Sequence, residues 1–396
     1  MTTMTTDVAD ADLIAALRSD QFIADPYPTF AMLRERPGWK SPAGYRVFSS
    51  YDDVLQILRQ PDLFGQERVP YPNFHTTDPP EHTRIRRLAA KAFTAQSVGL
   101  LRNRITEIVT GIIDDLDGRT EADLLPDVAL RMTAEVTAEI LNVPASDATM
   151  WHGWMWELAR YRGITSFFTM DDIGALDAAK GAAAAMAAYM QDLTADKSQR
   201  RADGIVARLF DAREADDSLS EEEILYTLVL LLGAGLHTTS GQLGNTMRAI
   251  LTRPDVHQKL LADPDLIQNT VEEVLRIDGT LQAEYRTMRE DTVLAGVPLS
   301  LGEHIIVVNA AANHDPEMFP DPERFDPERE NARKHLTFGF GIHHCLGAEL
   351  ARTELNEATR QLLARLPGLR LNGEIVQSPY HRWRGITSLP VTWDAA

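Results

Sequence analysis

A single cysteine, Cys345, in a chain of 396 residues rules out any intrachain disulfide and any zinc site built on paired cysteines, so stability must come from a packed core. The surrounding sequence is Phe338-Gly-Phe-Gly-Ile-His-His-Cys345-Leu-Gly-Ala. Glycines at 339, 341 and 347 allow positive-φ turns and let the backbone come close to a flat ligand. A helical pattern, Ala348–Arg365, begins directly after the sulfur, and its free N–H groups and positive dipole end favour a thiolate there. From these residues alone two other readings stay open: a lone cysteine as a small buried apolar residue, and a zinc site through His343, His344 and Cys345, which adjacent ligands would strain.

Hydrophobic residues make up 44% and charged residues 24% of the chain, a globular balance that excludes long disordered tracts. The length fits one large helical domain with a smaller strand-bearing lobe, or two domains. The expectation is one domain over residues 1–396: a mixed α/β part over 20–80, a helical body over 80–365 and β hairpins over 366–396. The formal net charge of -19 repels nucleic acid and anionic membrane at long range. No apolar run approaches the roughly 20 residues of a membrane span, and the polar start from Met1 to Asp12 has no signal-peptide core. The expected location is the cytoplasm, and the expected state a monomer.

Local pattern predicts a helix over Thr29–Arg36, a strand over Tyr45–Ser49 and a helix over Tyr51–Arg59. Helical spacing then runs from Pro80 to about Asp216, with breaks at Asp117-Gly118, Asn142-Val-Pro and Arg162-Gly163. Ser218–Glu223 signals the start of one long buried helix, Ile224–Ile250. Helices around Gln258–Leu261 and Pro264–Ile277, strands at Val293–Val297 and His304–Val308, and a meander at Asn313–Glu330 follow. The fold class is mainly α with a smaller β-rich lobe.

The cysteine stretch resembles the ligand loop of the cytochromes P-450, matching Phe-x-x-Gly-x-x-x-Cys-x-Gly at Phe338, Gly341, Cys345 and Gly347. The resemblance extends from Asp25 to Trp393. It implies a long central helix over a haem b, with Cys345 as iron ligand, a thiolate suited to O–O cleavage. Glu273-Val-Leu-Arg276 is similar to the family's Glu-x-x-Arg, and Arg324 in Pro-Glu-Arg-Phe to its meander arginine, implying a brace under the haem. By the same resemblance His82, Arg86, Arg286 and His343 meet the two propionates.

On the opposite face, Ala234-Gly-Leu-His-Thr-Thr lies mid-way along the long helix, where small residues allow the ladder to open. The resemblance makes Thr238 the oxygen-activating threonine; a helical threonine bonded back to a carbonyl one turn earlier is the other reading. His237 stands where the family usually has an acid, as in its sterol-demethylase branch, either as a proton relay or as a structural hydrogen bond. The implied pocket includes Leu236, Gln282, Glu284 and Ile386, with His381–Arg384 and the aromatics Trp151, Trp154, Trp156, Tyr161, Phe167 and Phe168 nearby. Its polar members suggest an aromatic or peptide-like natural product. With no fused flavin or iron–sulfur motif, the electrons come ultimately from NAD(P)H through a ferredoxin reductase and a ferredoxin. Arg84, Arg87, Lys91, Arg333, Lys334 and Arg352 form the basic docking patch. The expected reaction is O2-dependent monooxygenation of a small molecule; oxidative coupling, peroxide-driven oxidation and a haem sensor or carrier are alternatives.

Overall fold

The computed structural model describes residues 8–66, 73–90, 95–164, 173–195, 206, 209, 219–379 and 382–395. In chain order the helices are α1 Val8–Leu17, α2 Asp20–Ala24, α3 Tyr27–Arg34, α4 Tyr51–Arg59, α5 Glu81–Ala90, α6 Ala95–Asp114, α7 Leu130–Leu141, α8 Ala148–Ile164, α9 Ile173–Ala195, α10 Glu221–Ala234, α11 Leu236–Leu251, α12 Pro254–Ala262, α13 Ile267–Ile277, α14 Asn309–Ala312 and α15 Ala348–Arg365. The strands are β1 Trp39–Lys40, β2 Arg46–Phe48, β3 Phe64–Gly65, β4 Glu121–Asp123, β5 Glu284–Met288, β6 Thr292–Leu294, β7 Val297–Leu299, β8 His304–Val307, β9 Arg370–Leu371, β10 Val376–Gln377, β11 Ile386–Ser388 and β12 Pro390–Thr392. The fold is mainly helical with small sheets.

Two of the four apolar cores among the described residues frame the site. One is a helical core in which α6, α7, α11, α13 and α15 pack Ile112, Met132, Met247, Val271 and Leu362 against one another. The other surrounds a five-stranded sheet of order β1-β2-β8-β5-β3, packed by Phe48, Ile57, Met288 and Phe319. The β-rich lobe is therefore assembled from distant segments: β2 pairs in parallel with β8, and β5 lies antiparallel beside β8 with Glu284 opposite Val307 and Arg286 opposite Ile305. The C-terminal strands are likewise not purely local, because β12 pairs with β4 as well as with β9.

The elements that flank the site start and stop where side-chain chemistry dictates. Ser50 caps α4, its hydroxyl accepting from the Asp53 N–H at 3.2 Å, and Tyr51, Val54, Ile57 and Leu58 form the buried face. Ser220 and Glu223 form a reciprocal capping box on α10, two residues after the expected start. Asn142 ends α7 in the left-handed region at φ 53°, a conformation asparagine tolerates better than most residues.

The long helix runs through as α10 and α11 with a single turn residue, Gly235, between them, its backbone still in the right-handed helical region at φ −83° and ψ −25°; this is the local opening that the small residues there allow. Two expectations need correction. No break occurs at Arg162-Gly163, where α8 runs to Ile164; one glycine costs a helix only about 1 kcal/mol, too little to stop it. The strand expected at Val293–Val297 is a hairpin, β6 and β7 joined through Ala295 and Gly296, both at positive φ. Glu221–Leu251 is long enough to cross a membrane and contains an 18-residue window of mean hydropathy 1.4. Its second half nevertheless packs on α7, α13 and α15 inside the helical core.

Candidate functional site

The cysteine loop is built by backbone hydrogen bonds and two left-handed glycines. The Cys345 N–H donates to the Phe338 carbonyl at 2.8 Å, closing the loop over its own start. Gly339 and Gly341 sit at φ 68° and 71°. At Gly341 a Cβ would lie 2.5 Å from the Leu58 carbonyl oxygen at the end of α4, so this glycine sets how closely the loop approaches α4. Gly347 differs, with φ −89° and open space where a Cβ would stand. Cys345 itself is exposed to solvent. Although solvent reaches it, the protein packed around the sulfur raises its thiol pKa, outweighing the Gly347 backbone hydrogen bond and the Arg86 and Arg352 charges. A coordinated metal ion would displace the thiol proton outright.

Four nitrogen-bearing side chains converge beside it. His82 and Arg86 stand one turn apart on α5, and the His82 ring lies 4.4 Å from that of His343, centroid to centroid. Arg86 donates to the His344 carbonyl and sits 5.8 Å over the Phe74 ring. Arg286, on the buried face of β5, is close enough to His343 to lower its pKa. Burial first, then neighbouring cations, pushes His82 down to about 4 and His343 down to about 2. Both rings are neutral at pH 7. Their four ring nitrogens are buried with no hydrogen bond of good geometry, although His82 approaches the Ile342 backbone. Buried imidazole N–H groups without acceptors are costly, and two carboxylates would satisfy them.

Beneath the loop lies a brace with one member different from expectation. Glu273 and Arg276 make a two-pronged pair at 2.8 Å with both side chains fully buried. The second guanidinium on Glu273 belongs to Arg329, at 3.0 Å, and not to Arg324. Arg329 also donates to the carbonyls of Pro320, Asp321 and Arg324, which folds the meander around it. The Arg324 side chain is 69% exposed and only 3.7 Å from Asp326. Arg324 is a surface residue whose backbone, not its charge, belongs to the network. Sequence offered both arginines, five residues apart; only the register of the meander against α13 selects between them. A second buried acid, Glu272, escaped notice: Arg352 of α15 and His335 hydrogen-bond it at 2.7 and 3.2 Å.

Above the loop, the division at Gly235 leaves Ala234 exposed and Thr238 half-buried in mid-helix. The Thr238 hydroxyl donates to the Ala234 carbonyl at 2.6 Å, so its oxygen is left to accept. His237 turns towards α8, its Nε2 lying 3.3 Å from the His152 carbonyl and its ring beside those of His152 and Trp156. Burial, and then His152, push its pKa down to about 4. A neutral imidazole whose N–H donates to a carbonyl is a structural tie between α11 and α8.

This donor set fits an iron porphyrin: one soft sulfur ligand, glycines that let the backbone approach a plane, and two arginines with two unpartnered histidines at its edge. The family model described as "Cytochrome P450" matches residues 164–390. Cytochrome P450 monooxygenase PikC of Streptomyces venezuelae is 38% identical, covering 96% of this chain and 94% of that protein. The chain belongs to the cytochrome P450 family. Mycinamicin IV hydroxylase/epoxidase of Micromonospora griseorubida is also 38% identical, over 91% of this chain and 92% of its own. Among solved structures, CYP109E1 from Bacillus megaterium in complex with testosterone superposes with a TM-score of 0.89 at 26% identity, covering 95% of this chain and 100% of that one. This P450 is thus a haem-thiolate oxidoreductase of the monooxygenase class that acts on small molecules with O2 and electrons from a redox partner.

The pocket residues expected from the P450 pattern make the following contacts. Leu236 is fully buried in the core with Trp151 and Leu228, and Ile386 packs closely against Gly244. The Gln282 amide donates to the Gly279 carbonyl at 2.6 Å, and Glu284 is ion-paired to Arg286 at 2.9 Å. Arg384, expected among the polar pocket groups, is buried on Asp278 at 2.9 Å and on the backbone of α2. Trp151 and Trp154 pack edge-on against Tyr189 of α9, leaving Trp156 facing α11. The Tyr161 side chain, Phe167, Phe168, His381 and Lys91 lie outside the described residues. Of the basic patch, Arg84 is engaged by Glu223, whereas Arg333, Lys334 and Arg352 line a depression of ≈ 290 Å³ behind the cysteine loop with Phe338, Phe340 and His344.

Proposed function

We propose that Cys345 ligates the iron of haem b, that Arg86 and Arg286 with His82 and His343 hold its propionates, and that the enzyme inserts one oxygen atom into a bulky, largely apolar natural product. The convergence of those four side chains on the loop of the sole cysteine carries this reading. When bound, the haem supplies a thiolate-ligated iron that activates O2. The chain does the rest. Glu273, Arg276 and Arg329 hold the loop from below. Ala234 and Gly235 open the helix above it, and the Thr238 oxygen accepts from a water or a protonated ligand in that opening. Trp156 presents an apolar wall. Of the polar groups that suggested a peptide-like substrate, Glu284 and Arg384 are held in internal ion pairs, and the molecules named for two similar proteins, mycinamicin IV for a hydroxylase/epoxidase and testosterone in a complex, agree with a large ligand.

Electrons reach the site in this reading from NAD(P)H through a ferredoxin reductase and a ferredoxin that docks on the depression at Arg333 and Lys334. The enzyme works as a cytoplasmic monomer. The test is a reduced carbon monoxide spectrum, expected to show the red-shifted Soret band of a thiolate ligand, followed by turnover under labelled O2 with one labelled atom in the product. A Soret band at the imidazole position overturns the Cys345 assignment. His237, tied to α8 where an acid would relay protons, favours a second reading, peroxide-driven oxidation or coupling. Product formed with hydrogen peroxide but not with the electron-transfer chain would select it.

A further inference from the structure

Glu284 is an anion where a haem carboxylate has to be met by cations. It alternates with Arg286 along the buried face of β5 and is itself buried. One carboxylate oxygen accepts from Arg286 at 2.9 Å and the other from the Asn309 amide at 2.6 Å. A Cβ on Gly339, in the cysteine loop, would lie 3.2 Å from it. Arg286 is further committed to the Tyr285 carbonyl at 2.8 Å. Among the described residues, the permanent cations at this edge are Arg86 and Arg286, and one of the two is already neutralised.

We propose that Glu284 is a positioning residue for the haem's electrochemistry: it shares Arg286 with a propionate and, as a fixed negative charge beside the porphyrin, lowers the reduction potential of the iron. The inference rests on the reading of Arg286 as a propionate partner. Asn309 and Arg286 fix the carboxylate from both sides, so it cannot swing away when a second carboxylate arrives. Reduction adds an electron to the iron site, and a nearby fixed anion opposes that addition. The arrangement makes the first electron harder to accept until binding elsewhere offsets the charge.

The test compares holoenzymes of wild type, Glu284→Gln, Glu284→Asp and Glu284→Val, the last because a branched residue suits the strand if the amide is not tolerated. Spectroelectrochemical titration and haem transfer to apomyoglobin are read on each. Removing the charge should favour ferrous iron on the order of tenfold at fixed applied potential, about 59 mV upward for one electron, with haem held at least as tightly. Glu284→Asp should return to the wild-type potential. An unchanged potential in haem-loaded Glu284→Gln or Glu284→Val overturns the inference, and so does loss of haem with a fall in Tm in both, since that is what a prop for Arg286 would give. Arg286→Gln separates the underlying reading. If it leaves haem transfer and potential as in wild type, Arg286 does not meet a propionate and both readings fall; if it moves them while Glu284→Gln does not, Glu284 alone is misassigned.

Discussion

At the scale of single residues, spacing within the cysteine loop was legible because its chemistry is local: a sulfur, two glycines at positive φ and a following helix need no distant partner to be read. The two glycines of the matched pattern are not equivalent, however. Gly341→Ala forces a side chain into the left-handed region and against the Leu58 carbonyl, and should cost about 1–3 kcal/mol. Gly347→Ala meets neither obstacle in the protein and should leave Tm within a degree or two of wild type, roughly what a change under 0.5 kcal/mol gives. Thermal unfolding of the haem-free proteins checks both. The brace behaves likewise. Arg329→Ala strips one guanidinium from a fully buried carboxylate and should destabilise by about 3–5 kcal/mol, whereas Arg324→Ala should change stability by less than about 0.5 kcal/mol. Urea titration of the two variants decides it; equal losses would return Arg324 to the brace. Nothing in the sequence ranked those arginines, because their difference lies in how the meander wraps α13.

At the scale of elements, the order of helices and the positions of α4 and α15 followed from caps and apolar spacing, while the pocket did not. Alternation along β5 says that Glu284 and Arg286 share a face, but not that this face meets the cysteine loop. The same holds for Leu236 and Ile386, whose apolar character fits a core as well as a pocket. The opening at Gly235 was foreseeable from small residues; the direction of His237 was not, since it depends on where α8 lies. That direction has a pH consequence. With its pKa near 4, His237 stays neutral from about pH 5 to 8 and contributes no inflection there. His237→Gln, which keeps an N–H for the His152 carbonyl, should have a kcat profile of the same shape as wild type. His237→Ala should lose about 1 kcal/mol of stability. A wild-type inflection near pH 6 that vanishes in the glutamine variant would make His237 a relay after all.

At the scale of the whole molecule, the thiolate side is fastened by acids that join segments far apart in the chain. Glu272 on α13 takes Arg352 of α15 and His335 just before the cysteine loop, with Arg333 at 3.5 Å. Burial alone would raise its pKa, but the hydrogen bonds from His335 and Arg352 and the Arg352 charge reverse this and hold it at about 2, against 4.5 when unstructured. A carboxyl depressed in the folded state contributes stability that is complete above the unfolded pKa and is lost as pH falls through the folded one. For Glu272 the window runs from about 4.5 down to about 2, and the contribution at neutral pH is on the order of 3 kcal/mol. Glu272→Gln should therefore be destabilised at pH 7 and lose less further stability than wild type between pH 5 and 3. Urea midpoints across that range measure it. The curves of the two proteins should converge as pH approaches 2; parallel curves would mean that the stability change on acidification comes from other carboxylates, and that α13, the cysteine loop and α15 are held by packing instead of by this charge.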